Sequence, residues 1–421
     1  MKNKVVLLDQ TNFNSSSHIK LLVHGQGVFI FKNTDNTLPC ILYFYNKDSS
    51  DGLKVEFTLN SVKVNRISTD TSSTVLLDKN NKEGLSELKG AYYWFSIDSQ
   101  NQKLYAGIGE ARLDTVIYQY CFPPEPKIRR CGKPIKTSLN LDAAENKAKQ
   151  FLESIIQIQI SSDSKSIKPI RLLRDPIHKT IPLVIKDIDE LTMTDIANMK
   201  YMPKANLSVI AQKMYHCIAG KKFVLDDDDF PDFSKAIEYS IATPKMWCHE
   251  MLKKKSTEFN KDKPNILETY LRITLGNNNG ESPGIPYVME IWPIAHYSPI
   301  HNHSEANAVI RVLHGEINVS LYPFLCAEKD NIKPFSNISF SKDEITWISP
   351  TLNQTHKLMN LDINTKTCVT IQCYMYDNED TTHYDYFDYL DDNGNIQQYE
   401  PDSDMDFISF KNIMKQEWNS L

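Results

Sequence analysis

Ile300-His301-Asn302-His303, answered far downstream by Gln354-Thr355-His356-Lys357-Leu358-Met359-Asn360, is the stretch on which the reading of this chain turns. Two histidines at i and i+2 of a strand point to one face. A third imidazole arriving on another strand would close a three-nitrogen face around one metal ion, leaving positions open for substrate and dioxygen. A chain with 11 histidines produces one such pair by chance, so the flanking spacing carries the weight. His314-Gly315-Glu316 follows at a strand's length, with glycine letting the chain turn, and Trp347-Ile348-Ser349-Pro350 precedes His356.

Strands surround this stretch. Tyr287-Val288-Met289-Glu290-Ile291-Trp292, Ala308 to Leu313, Ile317 to Tyr322 and Cys368 to Tyr374 are short runs rich in branched and aromatic residues. Asn393-Gly394, in an acidic, tyrosine-rich tail, is a hairpin-turn signal.

The first part of the chain is also β in pattern. Val28 to Phe31, Cys40 to Tyr45 and Lys54 to Leu59 are separated by the polar clusters Asn33 to Asn36 and Asp48 to Gly52. This punctuation predicts a β-sandwich of jelly-roll type. Ala91 to Asp98 and Leu104 to Glu110 read as two strands, whose glycines permit close backbone approach. Phe122-Pro123-Pro124-Glu125-Pro126-Lys127 is the expected domain edge. Beyond it the period becomes helical. Asp142-Ala143-Ala144-Glu145 has capping-box spacing before a stripe of Ala148, Phe151, Leu152, Ile155 and Ile156. Leu207, Ile210, Ala211, Met214 and Ile218 form a second stripe, ended by Gly220. The run Asp226 to Asp229 lacks the ligand and glycine spacing of an EF-hand loop and reads as a solvated turn.

The expected organisation is mainly β: an N-terminal sandwich over 1–125, a linker and helical connector over 126–204, and a helix-preceded β-barrel domain over 205–421. At 421 residues, 41% of them hydrophobic and 24% charged, the chain has the size and balance for two globular domains. A net charge of -6 opposes nucleic-acid binding by bulk attraction. No apolar run approaches the ~20 residues that cross a bilayer, and the one after Met1-Lys2-Asn3-Lys4 is too short for a signal peptide. The eight cysteines are scattered with no CxxC pair, which predicts reduced thiols in a cytoplasmic protein.

The two histidine segments resemble the paired motifs of cupin barrels, small double-sheet barrels that hold a metal inside. Within that superfamily the stretch from Tyr270 to Tyr374 is most similar to the cysteine dioxygenase (thiol dioxygenase) family. Tyr270-Leu271-Arg272 matches its Tyr-x-Arg motif, and Trp292, His296, Ser298 and Ile300 lead into the histidine pair at its spacing. Thr370-Ile371-Gln372-Cys373-Tyr374 falls on its Ser-x-His-x-Tyr motif. The resemblance implies Fe(2+) held by His301, His303 and His356, with Tyr374 catalytic and its hydroxyl aimed at the metal. It implies that Arg272, with Tyr270 and Trp292, binds substrate, the guanidinium gripping a carboxylate, and that Gln372, Thr370 and His296 support the site from behind. The implied reaction turns a small carboxylate-bearing thiol, L-cysteine above all, into its sulfinic acid with dioxygen.

Two departures bear on that reading. Ala308 stands where a general cupin has a glutamate ligand and where animal cysteine dioxygenases have a cysteine crosslinked to the tyrosine. Gln372 replaces the family's histidine. A catalytically inactive cupin serving as a structural or binding module, and a dioxygenase acting on a protein N-terminal cysteine, stay open as alternatives. The Ala91 to Glu110 segment resembles part of the β-sandwich of farnesoic-acid-methyltransferase-like proteins, which implies that the N-terminal domain binds a ligand or protein.

Overall fold

The structure, a computed structural model, describes residues 5–7, 18–34, 39–58, 61–68, 71–79, 91–122, 141–162, 164, 166–177, 181–276, 287–326, 333–376 and 386–421. The chain divides into two compact units, Met1–Thr180 and Ile181–Leu421. Both are built mainly of strands. The proline-rich segment from Pro123 to Lys127 lies outside the described residues.

The first unit holds two antiparallel sheets of six strands each. One runs Val5–Leu7, Ile167–Leu173, Gln26–Asn33, Tyr92–Asp98, Lys103–Ile108, Val116–Cys121, and the other His18–Lys20, Gln157–Ile160, Cys40–Tyr45, Asp51–Thr58, Ser61–Ser68, Thr71–Lys79. Alternate residues of Cys40–Tyr45 are buried, as a strand with one core-facing side requires. Aromatic rings join the sheets: Phe31 meets Phe57 at 5.4 Å between centroids and Phe44 meets Phe95 at 4.9 Å. Tyr93, Trp94 and Phe95 are buried in this unit's interior. Gly107 is required beside Trp94, because a Cβ there would collide with the indole ring.

The connector expected over 126–204 is not a separate element. Gln157–Ile160 pairs with both His18–Lys20 and Cys40–Tyr45, and Ile167–Leu173 pairs with Gln26–Asn33. The helix Leu141–Ser154 buries Phe151 and Leu152 and leads straight into the first of these strands. Proline content marked a break in the chain, yet the sheets' unfilled hydrogen-bonding positions drew the following segment back in. From Ile181 the chain belongs to the second unit, where Ile185–Lys186 and Met202–Pro203 are sheet strands.

That unit also contains two sheets. Its larger sheet has the order Met202–Pro203, Ile185–Lys186, Ile345–Ile348, Asn307–His314, Cys368–Met375, Tyr287–Trp292, Leu271–Leu275, Met405–Asp406. The smaller runs Ser336–Ser341, Glu316–Tyr322, Thr355–Met359, Ile300–His301, Phe387–Leu390, Ile396–Tyr399. Among the described residues no ladder joins the two, so the expected barrel is an open pair of sheets. Gly315, at φ +70°, lets the chain cross from one sheet to the other after His314.

The larger sheet is buried on both faces, and side-chain alternation divides its residues between two tasks. Leu271, Ile273, Met289, Ile291, Val309, Ile371 and Cys373 pack against the helices Val209–Ile218, Phe233–Ala242, Trp247–Lys255 and Phe407–Asn419. Arg272, Glu290, Trp292, Ile310, Gln372 and Tyr374, one residue out of step, face the other way into a cavity. Ser208 caps the first helix, and Arg311 donates to the carbonyls of Ile218 and Gly220 at its end. The acidic run is an ion-paired turn, not a merely solvated one. Asp226 accepts from Ser234 at the start of a helix, while Lys411 pairs with Asp227 and Asp229 and Lys415 with Asp229. Asn393-Gly394 lies in a longer loop joining Phe387–Leu390 to Ile396–Tyr399, organised by Asp391 accepting from the Asn393 and Asn395 amides.

Candidate metal centre

His301 and His356 stand directly opposite each other where the two-residue strand Ile300–His301 crosses Thr355–Met359. His303 does not continue that strand, contrary to the sequence expectation. The chain leaves it at Asn302, whose side chain accepts from Ser304 N, and turns through Ser304 and Glu305 with φ of 48° and 66°. That turn still returns the His303 ring to the same point. Ring centroids lie 4.9 Å apart for His301 and His303, 4.6 Å for His301 and His356, and 4.8 Å for His303 and His356.

The donor atoms suit a metal. His301 and His356 place Nδ1 at 3.0 Å from the Pro299 carbonyl and 3.1 Å from the Asn353 carbonyl, so each Nδ1–H donates to the backbone and each Nε2 keeps its lone pair. His303 Nε2 is 3.1 Å from His356 Nε2, a close approach that a shared cation would satisfy. The buried Nδ1 of His303 has no hydrogen-bond partner among the described residues. The three ligand atoms lie within 4.8 Å of one another. Two bonds of ~2.1 Å span about 4.2 Å, close to this spread. Burial pushes His301 down to about 4 and, with His301 beside it, His356 down to about 3. Burial also holds His303 well below the usual histidine range, with His356 and His301 adding to the effect. All three are therefore neutral at pH 7, the form that ligates.

A recess of about 480 Å³, partly continuous with solvent, adjoins the triad. Tyr270, Arg272, Trp292, Gln372 and Tyr374 all line it. Tyr270 stacks on Trp292 at 4.1 Å, and Tyr374 stacks on His303 at 5.3 Å between centroids. The Tyr374 hydroxyl donates to Gln372 Oε1 at 2.8 Å, so the glutamine orients it as an amide acceptor. The resemblance places His296 and Thr370 behind the site, and Thr370 pairs with Glu290 in the ladder. The buried His296 ring places Nδ1 at 2.9 Å from the Thr269 carbonyl and does not line the recess, nor does Thr370.

Sequence reasoning missed Glu290 and the aromatic wall of Phe259, Phe387, Tyr389 and Tyr399. Glu290 sits opposite Arg272 in the ladder and accepts from its Nη1 at 2.8 Å, both side chains being buried. Breaking such a buried pair by removing one partner costs about 3–5 kcal/mol. Burial pushes the Glu290 carboxyl up, opposed by the Arg272 charge and by a hydrogen bond from Gln372. A carboxylate inside the otherwise apolar strand Tyr287–Trp292 was the available signal.

No protein-family model matches the chain. Among solved structures it is similar to the cupin domain of Schizosaccharomyces pombe Cnp3, at 13% identity and TM-score 0.20 over 26% of this chain and 65% of that one, just under two thirds of its length. A cupin superfamily protein from Desulfitobacterium hafniense is similar at 9% identity and TM-score 0.19, over 26% of this chain and 79% of that one. An oxalate oxidase in complex with glycolate is similar at 15% identity and TM-score 0.19, over 25% of this chain and 49% of that one. These likenesses are partial, and the reading of the site rests on the chain's own residues.

Proposed function

We propose that the second unit holds a divalent transition metal, Fe(2+), on His301, His303 and His356 and oxidises a small thiol with dioxygen. The observation that carries this reading is three neutral imidazoles, those of His303 and His356 buried and that of His301 half-buried, converging beside a recess lined by a guanidinium, a carboxylate and a phenol. When bound, the ion would supply a dipositive charge that deprotonates a thiol and a redox couple for dioxygen.

The protein's residues supply the rest. Tyr270, Trp292 and the ring wall give the recess apolar sides that limit its contact with water, which strengthens charge interactions inside it. Tyr374, fixed by Gln372 and stacked on His303, keeps a hydroxyl beside the triad; burial raises it well above the usual tyrosine range, so it stays a proton donor. In the overall reaction R–SH and O2 give R–SO2H. Both oxygen atoms pass to sulfur, which is oxidised while dioxygen is reduced, and no further reductant is needed.

The chain purified with iron should consume oxygen in proportion to added thiol and yield a sulfinic acid, detected by mass spectrometry. Stoichiometric iron without oxygen uptake from cysteine, cysteamine or 3-mercaptopropionate would refute the enzyme reading. One observation favours a second reading, that of an inactive binding module: Arg272, the expected carboxylate grip, is already paired with Glu290.

A further inference from the structure

The geometry points to Glu290 as the residue that sets substrate class, by occupying Arg272 and directing the recess toward aminothiols that carry no free carboxylate. This rests on the thiol-oxidation reading above and differs from the expectation that Arg272 grips a carboxylate. Arg272 and Glu290 face each other across adjacent antiparallel strands, Leu271–Leu275 and Tyr287–Trp292. The contact is therefore written into the register, not left to a mobile side chain. Arg272 Nη1 and Glu290 Oε1 are 2.8 Å apart, with side chains 8% and 6% exposed.

The pair is formally neutral, so Arg272 offers a substrate carboxylate no unpaired side-chain charge. A substrate carboxylate would have to displace Glu290 or lie beside it, placing two like charges together among buried side chains. A substrate ammonium meets the opposite situation, because Glu290 offers it a buried negative charge. Burial strains the ionised form of Glu290, and an added cation relieves that strain. Arg272 Nε–H finds no acceptor among the described residues, which leaves a donor for an uncharged oxygen such as an amide carbonyl. Cysteamine and the amide of L-cysteine share the favoured chemistry. They also separate its two sources, a free small amine and the N-terminal cysteine of a peptide.

The test measures anaerobic thiol binding by calorimetry to protein loaded with redox-inert zinc, beside oxygen uptake by iron-loaded protein. Wild type should bind cysteamine and L-cysteine amide more tightly than L-cysteine and 3-mercaptopropionate. Cysteamine leading points to the free amine, and the amide leading points to the peptide terminus. Glu290→Gln keeps the shape and the contact to Gln372 while freeing the guanidinium. It should reverse the order, each affinity moving on the order of tenfold, the scale of one hydrogen bond to a charged group. The double variant Glu290→Gln/Arg272→Gln, neutral at both positions, should lose the preference altogether and shows whether the effect needs both charges. Metal content and thermal midpoint report on folding of each variant. Wild type favouring L-cysteine over its amide, with the order unchanged in Glu290→Gln, would overturn the assignment even if oxygen is consumed. The predicted binding order without any oxygen uptake would instead sink the oxidation reading and leave the selectivity standing.

Discussion

Ala308 lies directly across the ladder from Tyr374, and its methyl group shares a small cluster with Ile310, Ile348 and the tyrosine ring. A sulfur carried on the Ala308 Cβ would therefore stand beside the phenol ring, placed for a thioether crosslink. Ala308→Cys should form that crosslink when iron-loaded protein is exposed to dioxygen. The S–H and a ring C–H would be lost, and intact mass spectrometry would read a deficit of two hydrogens. A full-mass variant with bound iron after prolonged exposure would contradict it. The added sulfur has a packing cost of about 1 kcal/mol, visible as a slightly lower midpoint before crosslinking.

Replacing His303 or His356 by alanine should abolish bound metal, because each is buried with a nitrogen aimed at the common point. His296→Ala is the control. It removes a ring held by Thr269 outside the recess, so metal content should stay at the wild-type level while stability falls by about 1 kcal/mol, measured in urea. Loss of metal in His296→Ala would show that the ring acts on the centre.

Tyr374→Phe deletes one hydroxyl and its bond to Gln372 while leaving the stack on His303. Metal content should be unchanged and stability lower by about 1 kcal/mol. Thiol-dependent oxygen uptake should fall on the order of a hundredfold if the hydroxyl delivers or holds a proton during turnover. Equal turnover numbers in variant and wild type would assign the phenol a packing role.

The C-terminal helix Phe407–Asn419 should loosen in acid. Burial alone would raise Asp227, but Lys411 and the Phe230 amide hold it below the usual range, and Lys415 and Lys411 do the same for Asp229. Lowered folded values mean that the unfolded chain binds protons first as pH falls. The stability from these pairs is therefore complete above about pH 4, the ordinary aspartate value, and is lost as pH drops through the lowered values. Lys411→Met should flatten the acid limb of the denaturation curve monitored by tryptophan fluorescence. An unchanged limb would place the acid sensitivity elsewhere.

The histidine pair and His356 were legible as a spaced motif, although His303 proves to leave the strand, while the lining residues Tyr270, Arg272, Trp292, Gln372 and Tyr374 were named through the family resemblance and not through spacing. Glu290 was not legible, since its meaning depends on which strand lies beside Tyr287–Trp292, and register is absent from a one-dimensional reading. The same reason hid Gln157-Ile158-Gln159-Ile160. Its alternation is plain, yet nothing local says that two distant strands will take it between them. Phe387, Tyr389 and Tyr399 looked like part of a polar tail, and only the hairpin brings their rings to the recess.

Because neighbours along each strand of the larger sheet serve opposite masters, helix layer on one side and recess on the other, this sheet has no tolerance for slippage. Deleting one residue ahead of Arg272 would present Leu271 to the recess and thrust a guanidinium among the helices' apolar side chains. Drift in this part of the chain is thereby confined to exchanges of side chain, while gains and losses of length are pushed out to the connecting loops.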